Sequence, residues 1–184
     1  MTTLKNLFFL SFTVLFLFAC KKDDVIEDND NELITTVELS FTKQGSNTPE
    51  VYTWKDSDGP GGSNPVIEPI VLEAASAYTL SIRFLDESKN PAENITEEVN
   101  AESAVHRVYI IGDASSGLAI TDLNNDRNGL PLGLSAIVTS SNPATGSLRI
   151  VLRHYGDGGK EAADPVTSPK ASSDADVSFP LTVQ

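Results

Sequence analysis

Tyr78-Thr79-Leu80-Ser81-Ile82-Arg83-Phe84 is the stretch that decides the fold. Its apolar residues fall on every second position, and its polar residues fill the gaps. In an extended chain successive side chains point to opposite faces, so this pattern puts Tyr78, Leu80, Ile82 and Phe84 in a core and Thr79, Ser81 and Arg83 in water. The same period recurs along the chain. Leu33, Thr35, Val37, Leu39 and Phe41 alternate with Thr36, Glu38, Ser40 and Thr42; Leu148, Ile150 and Leu152 alternate with Arg149 and Arg153. Val177, Phe179, Leu181 and Val183 form a last inward row, with Pro180 on the outward parity. Proline removes a ladder donor, which predicts an edge position for that strand.

Shorter candidate strands lie at 50–55, 66–72, 105–111, 118–121 and 134–139, between turn clusters rich in Gly, Pro, Asn and Asp. About eight strands punctuated in this way predict an all-β fold, an antiparallel immunoglobulin-like sandwich. One segment breaks the rhythm. Asn94 followed by Glu97 has the spacing of a capping box and predicts a short helix from Ile95 to Glu102. From Gly156 to Ser173 no period is visible, and a loop of that length is functional or disordered.

The N-terminal region reads differently. An apolar run from Leu7 to Ala19 follows one lysine and ends at Cys20, the single cysteine of 184 residues. The run is shorter than a membrane span and reads as an export signal, residues 1–19. Leu17-Phe18-Ala19-Cys20 resembles a bacterial lipobox, which implies cleavage before Cys20 and lipidation of its thiol; no partner thiol exists to give it another use. Lys21-Lys22-Asp23-Asp24 resembles the signal that sends such lipoproteins across the outer membrane to the cell surface. Residues 20–32, dominated by Asp, Asn and Glu, then form a disordered tether, since they offer too little apolar surface to fold. The remainder, 33–184, is sized for one domain.

The formal net charge is −13, and removal of the leader lysine makes the mature chain one unit more acidic. Nucleic acid and anionic headgroups would be repelled, so no nucleic-acid partner is expected. The membrane is reached through the lipid anchor alone.

Trp54-Lys55-Asp56-Ser57-Asp58-Gly59, the Asn90–Glu98 stretch, His106, the Asp122–Gly133 stretch and Leu152-Arg153-His154 occur in that order. In this the chain resembles a family of small Bacteroidota lipoproteins often labelled "type 1 periplasmic-binding fold superfamily". The resemblance spans nearly all of the mature chain. The label implies two α/β lobes in a chain about twice as long, whereas the strand periods here imply a sandwich, and the periods carry the expectation.

Two side-chain sets could carry chemistry. His106 shares parity with Val108 and Ile110, and His154 continues the row of Leu148, Ile150 and Leu152. Each imidazole then extends an inward row at a strand end, and both could enter one cavity mouth. Glu98 and Glu102, four apart, would project from one side of the short helix leading to His106. Two imidazoles and a carboxylate suit zinc, copper or iron; the plainer alternative is two hydrogen-bonded histidines at a core edge. The second set is Asp122, Asn124, Asp126 and Asn128, oxygen side chains at every second residue, a candidate calcium loop. Arg127 stands where an EF-hand loop needs glycine, and Asn and Asp also build ordinary turns. Asp56-Ser57-Asp58-Gly59 is a weaker instance of the same kind.

No GxSxG elbow or GxxxxGK[ST] loop occurs, and Gly156-Asp157-Gly158-Gly159-Lys160 has the wrong spacing, so no enzyme is expected. The function expected is an accessory small-ligand or metal-binding lipoprotein of the outer membrane, serving a neighbouring transporter of the TonB-dependent kind. The alternative is a structural or adhesive module that binds protein or glycan on a face. A binder should bring both histidines to one concavity; an adhesin should separate them and offer a flat aromatic patch, with Trp54 its obvious member.

Overall fold

The structure, a computed structural model, describes residues 33–59, 61–156 and 158–184. The leader, Cys20 and the acidic tether lie outside the described residues. Ten strands and one helix follow in the order β1 (Thr36–Lys43), β2 (Glu50–Lys55), β3 (Val66–Ile67), β4 (Ile70–Leu72), β5 (Ala77–Leu85), α1 (Ile95–Ala101), β6 (His106–Gly112), β7 (Leu118–Thr121), β8 (Ser135–Ser140), β9 (Ala144–Tyr155) and β10 (Ala171–Val183). They make a six-stranded sheet, β3-β2-β1-β5-β8-β7, and a four-stranded sheet, β4-β10-β9-β6. All pairings are antiparallel except β4 with β10. The fold is therefore the expected all-β sandwich, and the two-lobed α/β architecture implied by the family label is absent from the described residues.

The core is what the alternation predicts. Val37, Leu39 and Phe41 of β1 and Leu80, Ile82 and Phe84 of β5 are buried with Leu148, Ile150 and Leu152 of β9 and Val177, Phe179 and Leu181 of β10. Each such side chain contributes roughly 1.5–3 kcal/mol on leaving water, so packing alone can hold a sandwich with no disulfide between its sheets. Leu33, placed in the first inward row, is instead 45% exposed, and the buried row starts at Ile34 and Thr35.

Several expectations are corrected. The 66–72 run is two strands, β3 in the first sheet and β4 in the second. The chain changes sheets at Glu68-Pro69, where Glu68 still bonds Thr53 but proline has no donor with which to continue the ladder. The proline-bearing β10 is not an edge strand but lies between β9 and β4. Gln184 donates its N–H to Leu72 on the β4 side, so by alternation Pro180 also turns its nitrogen that way. β4 begins only opposite Leu181, so the missing donor falls where that ladder has not yet started.

Helix α1 ends at Ala101, with Glu102 as its C-cap, and Asn94 makes no side-chain cap; its amide bonds the Glu97 carboxylate instead. Finally, the aperiodic segment after β9 is strapped down over the second sheet. Arg107 reaches the carbonyls of Glu161, Ala162 and Asp164, the Tyr109 hydroxyl reaches Asp164, and Arg153 reaches Ser168 and Ala171. Arg153 was expected to face water; this strap half-buries it.

Candidate metal centre at one end of the sandwich

β6 and β9 run antiparallel, so the first residue of one lies opposite the last residues of the other. Their register pairs His106 directly with His154, in line with Val108 opposite Leu152. Directly opposed residues share a face. The two rings stand 4.5 Å apart between centroids, with planes inclined by 36°. His106 is fully buried and His154 half-buried.

The third member comes from the helix. Glu102 closes α1 by donating its N–H to Glu98, 2.8 Å away, and its own carbonyl lies 3.2 Å from His106 Nδ1. With Nδ1–H donating to that carbonyl, the imidazole is fixed in the tautomer whose lone pair is on Nε2. Metal-bound histidines are commonly oriented by such a contact. One ligand-type atom each from Glu102, His106 and His154 lies within 4.8 Å of the others. Ligands at about 2.0–2.2 Å from a zinc ion must close somewhat further, which rotation of the exposed Glu102 side chain permits. Three protein ligands leave a coordination position for water or a guest.

Burial holds the His106 imidazole well below its ordinary value, at about 4, helped by the neighbouring charges of His154 and Lys160 and opposed by the Glu102 carbonyl. The ring is therefore neutral at physiological pH, the form that can ligate a metal without first losing a proton.

The backbone around His106 is pinned from behind. Lys160, buried, donates its three N–H bonds to the carbonyls of Ser103 (2.7 Å), His106 (2.7 Å) and Pro131 (2.9 Å). The Asp126 carboxylate, 3.1 Å away and equally buried, supplies the counter-charge. Burial lowers the Lys160 pKa, and Asp126 opposes that. Burial also works to raise the Asp126 carboxyl, but the Leu130 N–H, Lys160 and the Asn128 N–H outweigh it and hold it below the ordinary range. This tie joins the α1–β6 corner, the 122–133 loop and the strap after β9. Sequence reading missed it, because a lysine in an aperiodic loop carries no burial signal.

That tie also decides the candidate calcium loop. Asp126 accepts N–H bonds from Asn128 (2.8 Å) and Leu130 (2.9 Å) on one oxygen and faces Lys160 with the other. Asn124 accepts from Ser135 N–H at 2.9 Å, Asp122 from the Thr121 hydroxyl at 3.2 Å, and Asn128 lies exposed. Three of the four are engaged by separate donors and Asn128 is exposed, and an ammonium faces Asp126, so the contacts present are those of a turn. The loop must also pass close to β6, since Val108 donates to Leu132 at 2.7 Å. Gly133, at φ 83°, is required there, because a Cβ would lie 2.3 Å from the Val108 carbonyl oxygen. In the weaker instance Asp58 likewise accepts from the Ser63 N–H.

Glu98 is exposed, and its carboxylate is not part of the Glu102–His106–His154 group, so the proposed four-ligand set reduces to three. No family model, curated protein or solved structure matches this chain.

Proposed function

We propose that the chain is a lipid-anchored accessory protein of the outer membrane that holds a transition metal, zinc, copper or iron, through Glu102, His106 and His154. One observation carries the reading: a carboxylate and two imidazoles from three separate elements have ligand atoms within 4.8 Å of one another. The neutral state of His106 and the rigid backing by Lys160 support it, because a site that is already placed and deprotonated loses little on binding. The anchor at Cys20, the cell-surface address and delivery to a transporter of the TonB-dependent kind rest on the sequence. The adhesive alternative fits less well, since the histidines are adjacent and Trp54 is half-buried against the core.

Native mass spectrometry of protein purified from its own cells should reveal a retained metal. Titration with zinc and copper should then give about one equivalent of binding, abolished by combined His106→Ala and His154→Ala. A double variant that binds both metals unchanged contradicts the reading.

A further inference from the structure

A second concavity is built on different residues. Ile34, Trp54, Asp56, Asp174, Ala175, Asp176 and Val177 wall a cleft of about 270 Å³. That is slightly below the roughly 300–1,000 Å³ of common ligand pockets, so a guest would be small. Trp54, on β2, is the only tryptophan of the chain and is half-buried. Ala175 and Val177 belong to the inward row of β10.

Asp174 reaches this wall because β10 is irregular. Ser173 lies opposite Arg153 and Ala175 opposite Leu152, leaving Asp174 as the extra residue of a bulge. Bulges re-aim side chains and recur beside functional sites. Both carboxylate oxygens of Asp174 are shielded from water and lack a hydrogen-bond partner, as does Oδ1 of Asp56. Burial pushes the Asp174 carboxyl up, against the nearby charges of His154 and Arg153. The contrast within the same strand is Asp176, whose two oxygens are held by Arg149 at 2.7 and 2.5 Å. A buried carboxylate without a partner is costly, and most folds remove or pair it. Here three acids border an indole and an aliphatic wall; Arg149 pairs Asp176, whereas among the described residues no lysine or arginine side chain is hydrogen-bonded to Asp174.

We propose that this cleft binds a small organic ammonium ion, its apolar body against the Trp54 indole and its charged nitrogen facing Asp174 and Asp56. An anion would meet three carboxylates, and a neutral guest would leave Asp174 without a direct partner. A cation supplies the direct partner that the nearby charges of His154 and Arg153 do not give Asp174, and the face of an indole favours it further. The inference shares no ligand with the metal reading, although the charge of His154 reaches Asp174.

As the sole tryptophan, Trp54 reports on the cleft by its own fluorescence. Benzylammonium should produce a saturable change, and benzyl alcohol, of the same shape without the charge, should bind at least about tenfold more weakly. Asp174→Asn should weaken benzylammonium by at least about tenfold while raising the melting midpoint, because an unpaired buried charge is removed. Asp56→Asn serves as the second variant and should weaken it in the same direction. The Glu102→Gln protein, altered only in the metal cluster, should bind benzylammonium unchanged, which separates failure here from failure of the metal site. Equal binding of the two probes, the same response to calcium or zinc, no saturable response, or a lowered midpoint in Asp174→Asn with affinity retained would each overturn the proposal.

Discussion

The Glu102–His106–His154 cluster and the Asp122–Asn128 loop start from comparable raw material, a few ligand-type side chains each, and end in opposite conditions. In the loop the oxygens are neighbours in sequence, and Asp126 at its centre is taken by the loop's own N–H groups and the ammonium of Lys160, while Asn124 accepts from Ser135 of β8 and Asp122 from the Thr121 hydroxyl. In the cluster the imidazoles are far apart in sequence and are brought opposite one another by strand register. Local spacing of donors therefore says little about a metal site in this molecule. What counts is whether the residues sit where the backbone's own hydrogen bonds are already satisfied, as they are within a sheet.

The comparison is broken most forcefully through the loop. Lys160→Ala should leave Asp126 buried without its counter-charge and lower the unfolding free energy by about 3–5 kcal/mol in urea melts. Were the loop a calcium site, the same change would relieve a competing cation, and added calcium would restore or raise stability; we expect calcium to leave the midpoint unchanged.

The next effect in size concerns the cluster. The folded-state pKa of His106, about 4, lies below the ordinary 6.5. As pH falls from 6.5 the unfolded chain takes up the proton first, so stability is lost between pH 6.5 and 4 and the loss is complete below 4. At about 1.36 kcal/mol per pKa unit the full loss is about 3 kcal/mol. His106→Gln should flatten the pH dependence of urea stability across that window, and an unchanged slope would mean that the ring is not held neutral by burial.

The smallest effect sharpens the contrast from the other side. Asn128→Ala removes an exposed side chain and should change stability by no more than about 0.5 kcal/mol with no change in metal titration.

Much of this was legible beforehand, and the parts that were not have physical reasons. β1, β5, β9 and β10 write their buried faces as a period of two, and the parity of His106 and His154 followed from continuing those rows. Which strands are neighbours is not written in any one strand, so the direct opposition of the two rings had to come from the sheet order. The position of β10 was misread because proline announces one missing donor without saying which side it faces. Glu98 and Glu102 were separated by where α1 ends: Glu102 caps the helix beside His106, while Glu98 lies one turn earlier. The strap after β9 is held by arginine, tyrosine and lysine bonds to carbonyls, which have no period to read. Asp174 depends on a bulge, a feature of pairing rather than of sequence pattern.

The central claim is that two imidazoles and one carboxylate form a single metal site. Nitrogen-15 NMR of the imidazoles during zinc titration tests it most directly. The account predicts that one equivalent of zinc moves a ring nitrogen of both His106 and His154 together, with the Glu102→Gln protein binding more weakly. Zinc that moves neither ring, or only one, would contradict it.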